Sequence, residues 1–464
     1  MRDINIKKFL KNKITGNVII VTSSIIFIYL LAAIYFAGHF FFHTEINGVD
    51  VSLKSYNKAD NIIGNYAKAY KLQLIERNEK TEEIIGQDIG MKYNEKNMFF
   101  KGYYKQNPFK WGISLFENQK HYIDDLFIYD KIILENKVNE LNCLKKDIKE
   151  PENVSFRYLN GSYEVVKEVY GNKLNKDKLK YAIDRSILRG EMKLDLNEKL
   201  CYENPEYTLS SDKTFKAKKL LDKYVSANIT YKFGNIEEKL DGNTINKWLN
   251  VDKNLEVSIS EMSIMKYINT LSKRYDTVGI ARNFKTSMGK IVEVKGGLYG
   301  WKINTSAEAK ALLENIRLGQ VLEKEPIYIQ RALSRGQEEI GNTYVEINIT
   351  RQHVWFYKDG KLITQGSVVT GNPNTECSTV LGTYMLNYKQ KDATLTGPDY
   401  EAPVTYWMPF FGNIGIHDAS WRYSFGGEIY KRNGTHGCIN APLYLAKKIF
   451  ENIEDGTPII CYEE

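Results

Sequence analysis

No Lys, Arg, Asp or Glu occurs between Ile14 and Thr44, and inside that window Val18 to Ala37 supplies twenty residues that are mostly Val, Ile, Leu, Ala and Phe. Wound as a helix at about 1.5 Å per residue, this stretch is about 30 Å long, the thickness of a hydrocarbon core. Before it stand Arg2, Lys7, Lys8, Lys11 and Lys13 against a single acid, Asp3. The positive-inside rule therefore predicts that residues 1–16 stay in the cytoplasm, residues 17–38 cross the membrane, and the remaining chain lies outside. The alternative is a cleaved signal peptide. Its apolar region would be shorter, about 7–15 residues, and Phe40-Phe41-Phe42 offers no small-residue cleavage site.

The placement of charge argues against a nucleic-acid partner. The net charge is +7, of which the first thirteen residues carry +4, leaving +3 on the long remainder. Five cysteines, Cys143, Cys201, Cys377, Cys438 and Cys461, an odd number with no regular spacing, build no disulfide framework and leave room for one or two bridges at most. They form no CxxC pair, so zinc has no obvious ligand set.

The middle of the chain repeats itself. Tyr170-Gly171-Asn172-Lys173-Leu174-Asn175 returns as Tyr299-Gly300-Trp301-Lys302-Ile303-Asn304. Each copy follows a strand-like stretch, Glu164 to Lys167 and Val292 to Lys295. Each precedes a helical face, Leu179, Ala182, Ile183 and Ile187 in one, Ala309, Leu312, Leu313 and Ile316 in the other. The two Asn residues are natural helix caps. Upstream, Ala59, Ile62, Ile63 and Tyr66 before Lys71 to Leu74 match Ala217, Leu220, Leu221 and Tyr224 before Asn228 to Tyr231. Two related α+β modules are expected, 45–198 and 205–330, with a spacing or binding role rather than chemistry. Tyr103, Tyr104, Phe109 and Trp111 are candidates for stacking on sugar rings or for ordinary packing.

From about Thr343 the pattern turns to short β runs. Val345, Ile347 and Ile349 alternate with Glu346, Asn348 and Thr350, which predicts a strand with one wet face. Asp359-Gly360 is a favoured hairpin turn. Further strands are expected over Ser367 to Gly371, Leu381 to Tyr388 and Val404 to Pro409, with a single helix from Pro442 to Asn452. Residues 341–464 thus read as a mainly β domain.

That domain holds the only constellation with evident chemistry: Gly415-Ile416-His417-Asp418, then Thr435-His436-Gly437-Cys438-Ile439-Asn440. A thiol starts near pKa 8.5, and a histidine in contact favours a thiolate–imidazolium pair. Gly437 lets the backbone before Cys438 turn tightly. His417 and His436 both qualify as the partner on these grounds alone.

The stretch resembles the L,D-transpeptidase catalytic (YkuD-type) domain, whose signature is His, Gly or Ser, a gap of about 14–17 residues, then Ser/Thr-His-Gly-Cys, a hydrophobic residue and Asn or Arg. Here sixteen residues separate Asp418 from Thr435. Thr370-Gly371-Asn372, Leu381 to Tyr384 and Tyr406-Trp407-Met408 are similar to the flanks of that family. The modules resemble peptidoglycan-binding-like domains. The resemblance implies a YkuD-like β-sandwich at the C-terminus, behind tandem α+β modules and one N-terminal transmembrane helix. It implies Cys438 as the acylated nucleophile and His417 as its acid/base, oriented by the carbonyl of Asp418. His436, Gly437 and Cys438 would shape the oxyanion region. Tyr406, Trp407, Met408, Thr435 and Asn440 would line or fix the substrate site. The partner implied is the peptidoglycan stem peptide, joined into 3→3 crosslinks with loss of D-Ala and without metal or cofactor. Asp418 departs from the family's Gly or Ser: its carboxylate either raises the imidazolium pKa or points to solvent. The same thioester would also serve an L,D-carboxypeptidase or protein-to-wall attachment, and a non-catalytic wall-binding protein is the remaining alternative. A papain-like peptidase is disfavoured, because there the cysteine precedes its histidine.

Overall fold

The computed structural model describes residues 13–94, 106–336, 338–397 and 400–464. Arg2, Lys7, Lys8, Lys11, Tyr103 and Tyr104 lie outside the described residues. The apolar stretch forms the helix Lys13–Phe36, within which Gly16–Phe36, with a mean hydropathy of 2.5, is long and apolar enough to cross a membrane.

The chain packs as two units, residues 1–155 with 165–214, and residues 156–164 with 215–464. In the first, a three-stranded sheet in the order Lys193–Asp195, Lys71–Ile75, Thr81–Ile85 is packed by the helices Tyr56–Ala69, Lys131–Glu140 and Lys176–Arg189. In the second, the same order recurs as Val321–Lys324, Asn228–Phe233, Ile236–Leu240, with the helices Asp212–Val225, Glu261–Tyr275 and Thr305–Leu318. The repeat read in the sequence is therefore a repeat of packing. Its caps match too. The Asn175 side chain accepts from the Lys178 amide and that of Asn304 from the Ala307 amide, and both helices end on a left-handed glycine, Gly190 and Gly319. The hairpin built from Ser155–Leu159 and Ser162–Val166 contributes Tyr163 to the core of the second unit, which explains why residues 156–164 count with it.

The C-terminal domain, within the second unit, is a β-sandwich. Its strands in chain order are β1 (Tyr344–Asn348), β2 (His353–Lys358), β3 (Lys361–Ser367), β4 (Gly382–Met385), β5 (Gln390–Gly397), β6 (Tyr400–Phe411), β7 (Ile414–Asp418), β8 (Ile439–Ala441) and β9 (Pro458–Tyr462). One sheet runs β3-β2-β1-β9-β4 and the other β5-β6-β7-β8. The core between them takes alternate residues from β1, β2, β6, β7, β8 and β9: Val345 and Ile347, Val354 and Phe356, Met408 and Phe410, Ile416, Ile439 and Ala441, Ile459 and Cys461. Each such fully buried aliphatic or aromatic side chain contributes about 1.5–3 kcal/mol. The helix Leu443–Asn452 closes one side with Leu445, Ala446 and Ile449. Asp359 and Gly360 both take positive φ, 50° and 73°, as the hairpin turn between β2 and β3 requires.

Three expectations need correction. Val368 to Gly371 is not a strand; Val369 and Gly371 make isolated bridges to Asn440 and Thr435. A second, short helix, Ile429–Asn433, sits inside the gap between the two signature segments. And β1 has no wet face: Glu346 and Asn348 are fully buried. The hairpin Arg282–Lys285 with Ile291–Val294 lies over that face, Phe284 and Val294 packing on Ile460 and Tyr462. The Glu346 carboxylate accepts from the Ser287 amide at 3.0 Å and hydroxyl and from the Tyr462 hydroxyl at 2.6 Å. A carboxylate at a position whose alternation suggests solvent is instead the polar centre of a packed interface, and period-two reading cannot see a cover supplied from sixty residues upstream. Truncation of Glu346 to Ala strands these donors and is expected to cost about 2–3 kcal/mol in chemical denaturation; Glu346→Gln should lose less.

Candidate active site

β6, β7 and β8 bring the signature residues together. Trp407 pairs with His417 across the antiparallel β6–β7 ladder, and the parallel β7–β8 ladder sets Ile416 against Ile439 and His417 against Asn440. Ile416 and Ile439 are fully buried in the core. The alternate positions, Gly415 and His417 on β7 with Cys438 and Asn440 at β8, therefore share the opposite face. Trp407 is common ground there: its ring lies 5.8 Å from that of His417, and Cys438 packs into its cluster with Ala393.

The same alternation separates the remaining candidates. Tyr406 and Met408 flank Trp407 on β6 and point into the core, Tyr406 against Phe450. Their expected place in a substrate site is not supported; strand geometry gives that face to Trp407 alone. Asp418, next to His417, is likewise turned away. Its carboxylate is buried and accepts from the Tyr406 amide at 2.7 Å, so it neither points to solvent nor faces the imidazole edge. Its carbonyl does meet the ring, 2.9 Å from His417 Nδ1. A carbonyl can only accept, so Nδ1 carries the proton and Nε2 of the neutral ring keeps its lone pair.

Burial dominates the electrostatics. His417 is 4 % exposed, and desolvation holds its pKa below the ordinary 6.5 against the raising effect of the Asp418 carbonyl and carboxylate. Burial pushes the Cys438 thiol up to about 11, with the Gly415 amide pulling the other way. The thiol donates to the Asn413 carbonyl at 3.4 Å. Both shifts run toward the neutral forms, thiol and imidazole, and away from the thiolate–imidazolium expected from the residue types.

The Cys438 loop is held by side chains that sequence reading only partly found. Thr435 Oγ1 donates to the Cys438 carbonyl at 2.6 Å and accepts from the Gly437 amide at 3.0 Å, so Thr435 is a loop brace and the Gly437 amide is engaged. The Cys438 amide has no acceptor among the described residues. Gly437 has φ +112°, and a Cβ there would meet Ile414 Cδ1 at 3.0 Å, which makes glycine necessary. Asn440 exchanges backbone hydrogen bonds with Val369. His436 is exposed on the outside of the loop, unlike His417.

Thr379 and Trp421 were missed, and Gly415 was seen only as part of its stretch. Thr379 Oγ1 donates to the Gly437 carbonyl and accepts from the Gly371 amide, both at 2.8 Å, and so ties the upstream segment to the Cys438 loop. It lies two positions beyond Cys377, which occupies that segment without touching this pair of bonds. A Cβ on Gly415 would sit 2.7 Å from the Trp407 ring; a glycine inside a strand is the signal that marks such close approach. Trp421 places its ring 6.0 Å from His417 from a loop with no periodicity. Thr379→Val strands the Gly371 amide and the Gly437 carbonyl, so it is expected to lower acylation of Cys438 by about tenfold and stability by about 1–3 kcal/mol. Stopped-flow acylation rates and a thermal scan check this.

The family model of the L,D-transpeptidase catalytic domain (YkuD) matches residues 342–461, and that of the peptidoglycan binding domain matches residues 83–195 and 208–322. Among solved structures the chain is similar to a cysteine-to-serine mutant of the Enterococcus faecium L,D-transpeptidase, at 31% identity over 54% of this chain and 100% of that one, with a TM-score of 0.44. It is similar to the E. faecium catalytic domain acylated by ertapenem, at 42% identity over 26% of this chain and 97% of that one, with a TM-score of 0.24. An L,D-transpeptidase from Mycobacterium tuberculosis is similar at 19% identity over 26% of this chain and 58% of that one, with a TM-score of 0.24. No curated protein matches.

Proposed function

The chain belongs to the L,D-transpeptidase family, and from that premise we propose that Cys438 and His417 carry out its acyl transfer on peptidoglycan stem peptides. The observation that carries the assignment is the shared face: His417 on β7 and Cys438, the residue just before β8, lie around Trp407, and His417 Nδ1 is tied to the Asp418 carbonyl. In the first step the Cys438 sulfur attacks the carbonyl that joins the third stem residue to its terminal D-Ala, and His417 Nε2 takes the thiol proton. The C–N bond breaks, the proton passes to the departing amine, and a thioester remains. In the second step the side-chain amine of another stem's third residue attacks the thioester. His417 takes its proton and returns it to sulfur as the 3→3 amide forms. With the Gly437 amide engaged by Thr435, the Cys438 amide is the loop donor left for the developing oxyanion. No energy source beyond the existing peptide bond is needed.

The modules before the domain would hold the wall, and the helix Lys13–Phe36 would anchor the enzyme as a single pass with its N-terminus in the cytoplasm. The length and apolarity of the helix and the basic segment before it support this reading. Full-length enzyme incubated with a tetrapeptide stem is expected to release D-Ala and give a crosslinked dimer by mass spectrometry. Release of D-Ala with only tripeptide product, even at high acceptor concentration, would instead make it an L,D-carboxypeptidase.

A further inference from the structure

A short apolar segment lies along the helix Lys13–Phe36 and is not used by any function assigned above. Pro108–Leu115 forms 3-10 turns, capped by the Asn107 side chain, which accepts from the Phe109 amide. The Trp111 indole N–H donates to the Tyr29 carbonyl at 3.2 Å, and the Tyr29 hydroxyl donates to the Phe109 carbonyl. The Trp111 ring stacks on Phe36, 6.0 Å between centroids at 20°, and lies 5.3 Å from the Tyr29 ring. Gln106 Nε2 donates to the Phe36 carbonyl at 2.6 Å, satisfying the end of the helix. On the other side the segment is bare: Phe116 is 88 % exposed, Phe109 58 %, Ile113 50 % and Leu115 42 %.

We propose that Phe109, Ile113, Leu115 and Phe116 form a wedge seated in the outer leaflet of the lipid bilayer that the helix crosses; the proposal rests on the anchor reading given above. Depth carries it. Gly16–Phe36 has 21 residues, about 31 Å of helix against a hydrocarbon core of about 30 Å, so the span has no length to spare. Tyr29 lies seven residues before Phe36, about 10 Å below the outer end. Drawing Tyr29 into water would leave only Gly16 to Tyr29 in the core, about 20 Å, well short of a crossing. A segment hydrogen-bonded to Tyr29 therefore shares its depth, and its outward side chains meet what the other helix faces meet, which is lipid. Non-helical backbone survives at that depth only if its polar groups are paired. The 3-10 bonds, the Asn107 cap, Tyr29 and the Ser114 hydroxyl on the Trp111 carbonyl at 2.6 Å provide this. Lys110 is the segment's only charge and has a stem long enough to reach the headgroups. Sugar stacking by Phe109 and Trp111 is correspondingly disfavoured: Trp111 is already packed on the helix.

The test is a nitroxide at Phe116 in the full chain, in a Cys377→Ser, Cys438→Ser background, reconstituted in phosphatidylcholine–phosphatidylglycerol liposomes. Matching labels at Ile34, inside the span, and at Tyr423, fully exposed in the catalytic domain, set the two limits. The expected result is an oxygen-over-nickel-chelate accessibility at Phe116 equal to that at Ile34 and several-fold above that at Tyr423. A water-like Phe116 beside a lipid-like Ile34 overturns the wedge and leaves the anchor standing. A water-like Ile34 overturns the anchor itself. Dipolar broadening at Phe116 would put a second copy, not lipid, on the face and also overturns the proposal.

Discussion

Cys438→Ala is expected to abolish both thioester formation and crosslinked product, a loss on the order of 10⁴-fold or more, because no other group can accept the acyl chain. Of the remaining cysteines, Cys143, Cys201 and Cys461 are buried and their thiols are pushed up to about 11 or beyond by desolvation. Cys377 is partly exposed and takes no part in the bonds that tie Thr379 to the Cys438 loop. The fold should survive, since Cys438 stands at the edge of the Trp407 cluster and not in the sandwich core. Intact-mass spectrometry with a tetrapeptide substrate, alongside a thermal scan, separates a lost nucleophile from a lost fold. An unchanged product yield in this variant would remove Cys438 from the mechanism.

His417→Gln is expected to lower acylation by about 10²–10⁴-fold, the usual contribution of a positioned general base. The pH profile should carry a signature beyond the loss. Burial depresses the His417 pKa below 6.5, so the wild-type acid limb should fall at a pH below that value, and the variant should lack the limb. Raising the pH helps little until the thiol itself ionises, near 11. Stability follows the same sign. Below about pH 6.5 an unfolded chain protonates this histidine while the folded one does not, so the folded state loses stability as pH falls from 6.5 through the depressed value. His417→Gln should remove that part of the slope in urea denaturation measured between pH 7 and 5. A wild-type acid limb above 6.5 would contradict the desolvated site.

Much of this was legible in the chain, for reasons that differ by residue. The helix Lys13–Phe36 follows from an uncharged window, and the paired modules from Asn175 and Asn304, which cap equivalent helices. The roles proposed for His417 and Cys438 come from the resemblance of the two signature segments to the family; the residues alone left His417 and His436 open. What could not be read was facing. Tyr406-Trp407-Met408 looks like one aromatic motif, yet a strand sends Trp407 to the site and its neighbours to the core. Asp418 beside His417 looks like an acid–base couple, yet its carboxylate serves the Tyr406 amide on the other face. Contacts between distant segments were equally hidden: the Arg282–Val294 hairpin over Glu346, and Thr379 under Gly437. Nor does sequence report desolvation, which shifts both groups toward their neutral forms.

The central claim is that the stem peptide is carried on one sulfur beside His417. Its most direct test is to trap the full-length enzyme with a tetrapeptide stem, digest it, and locate the adduct by tandem mass spectrometry. The acyl group, lacking the terminal D-Ala, should map to Cys438 in the peptide that contains Thr435 to Asn440. An adduct on Cys377, or D-Ala release with no acyl group on any cysteine, would contradict it.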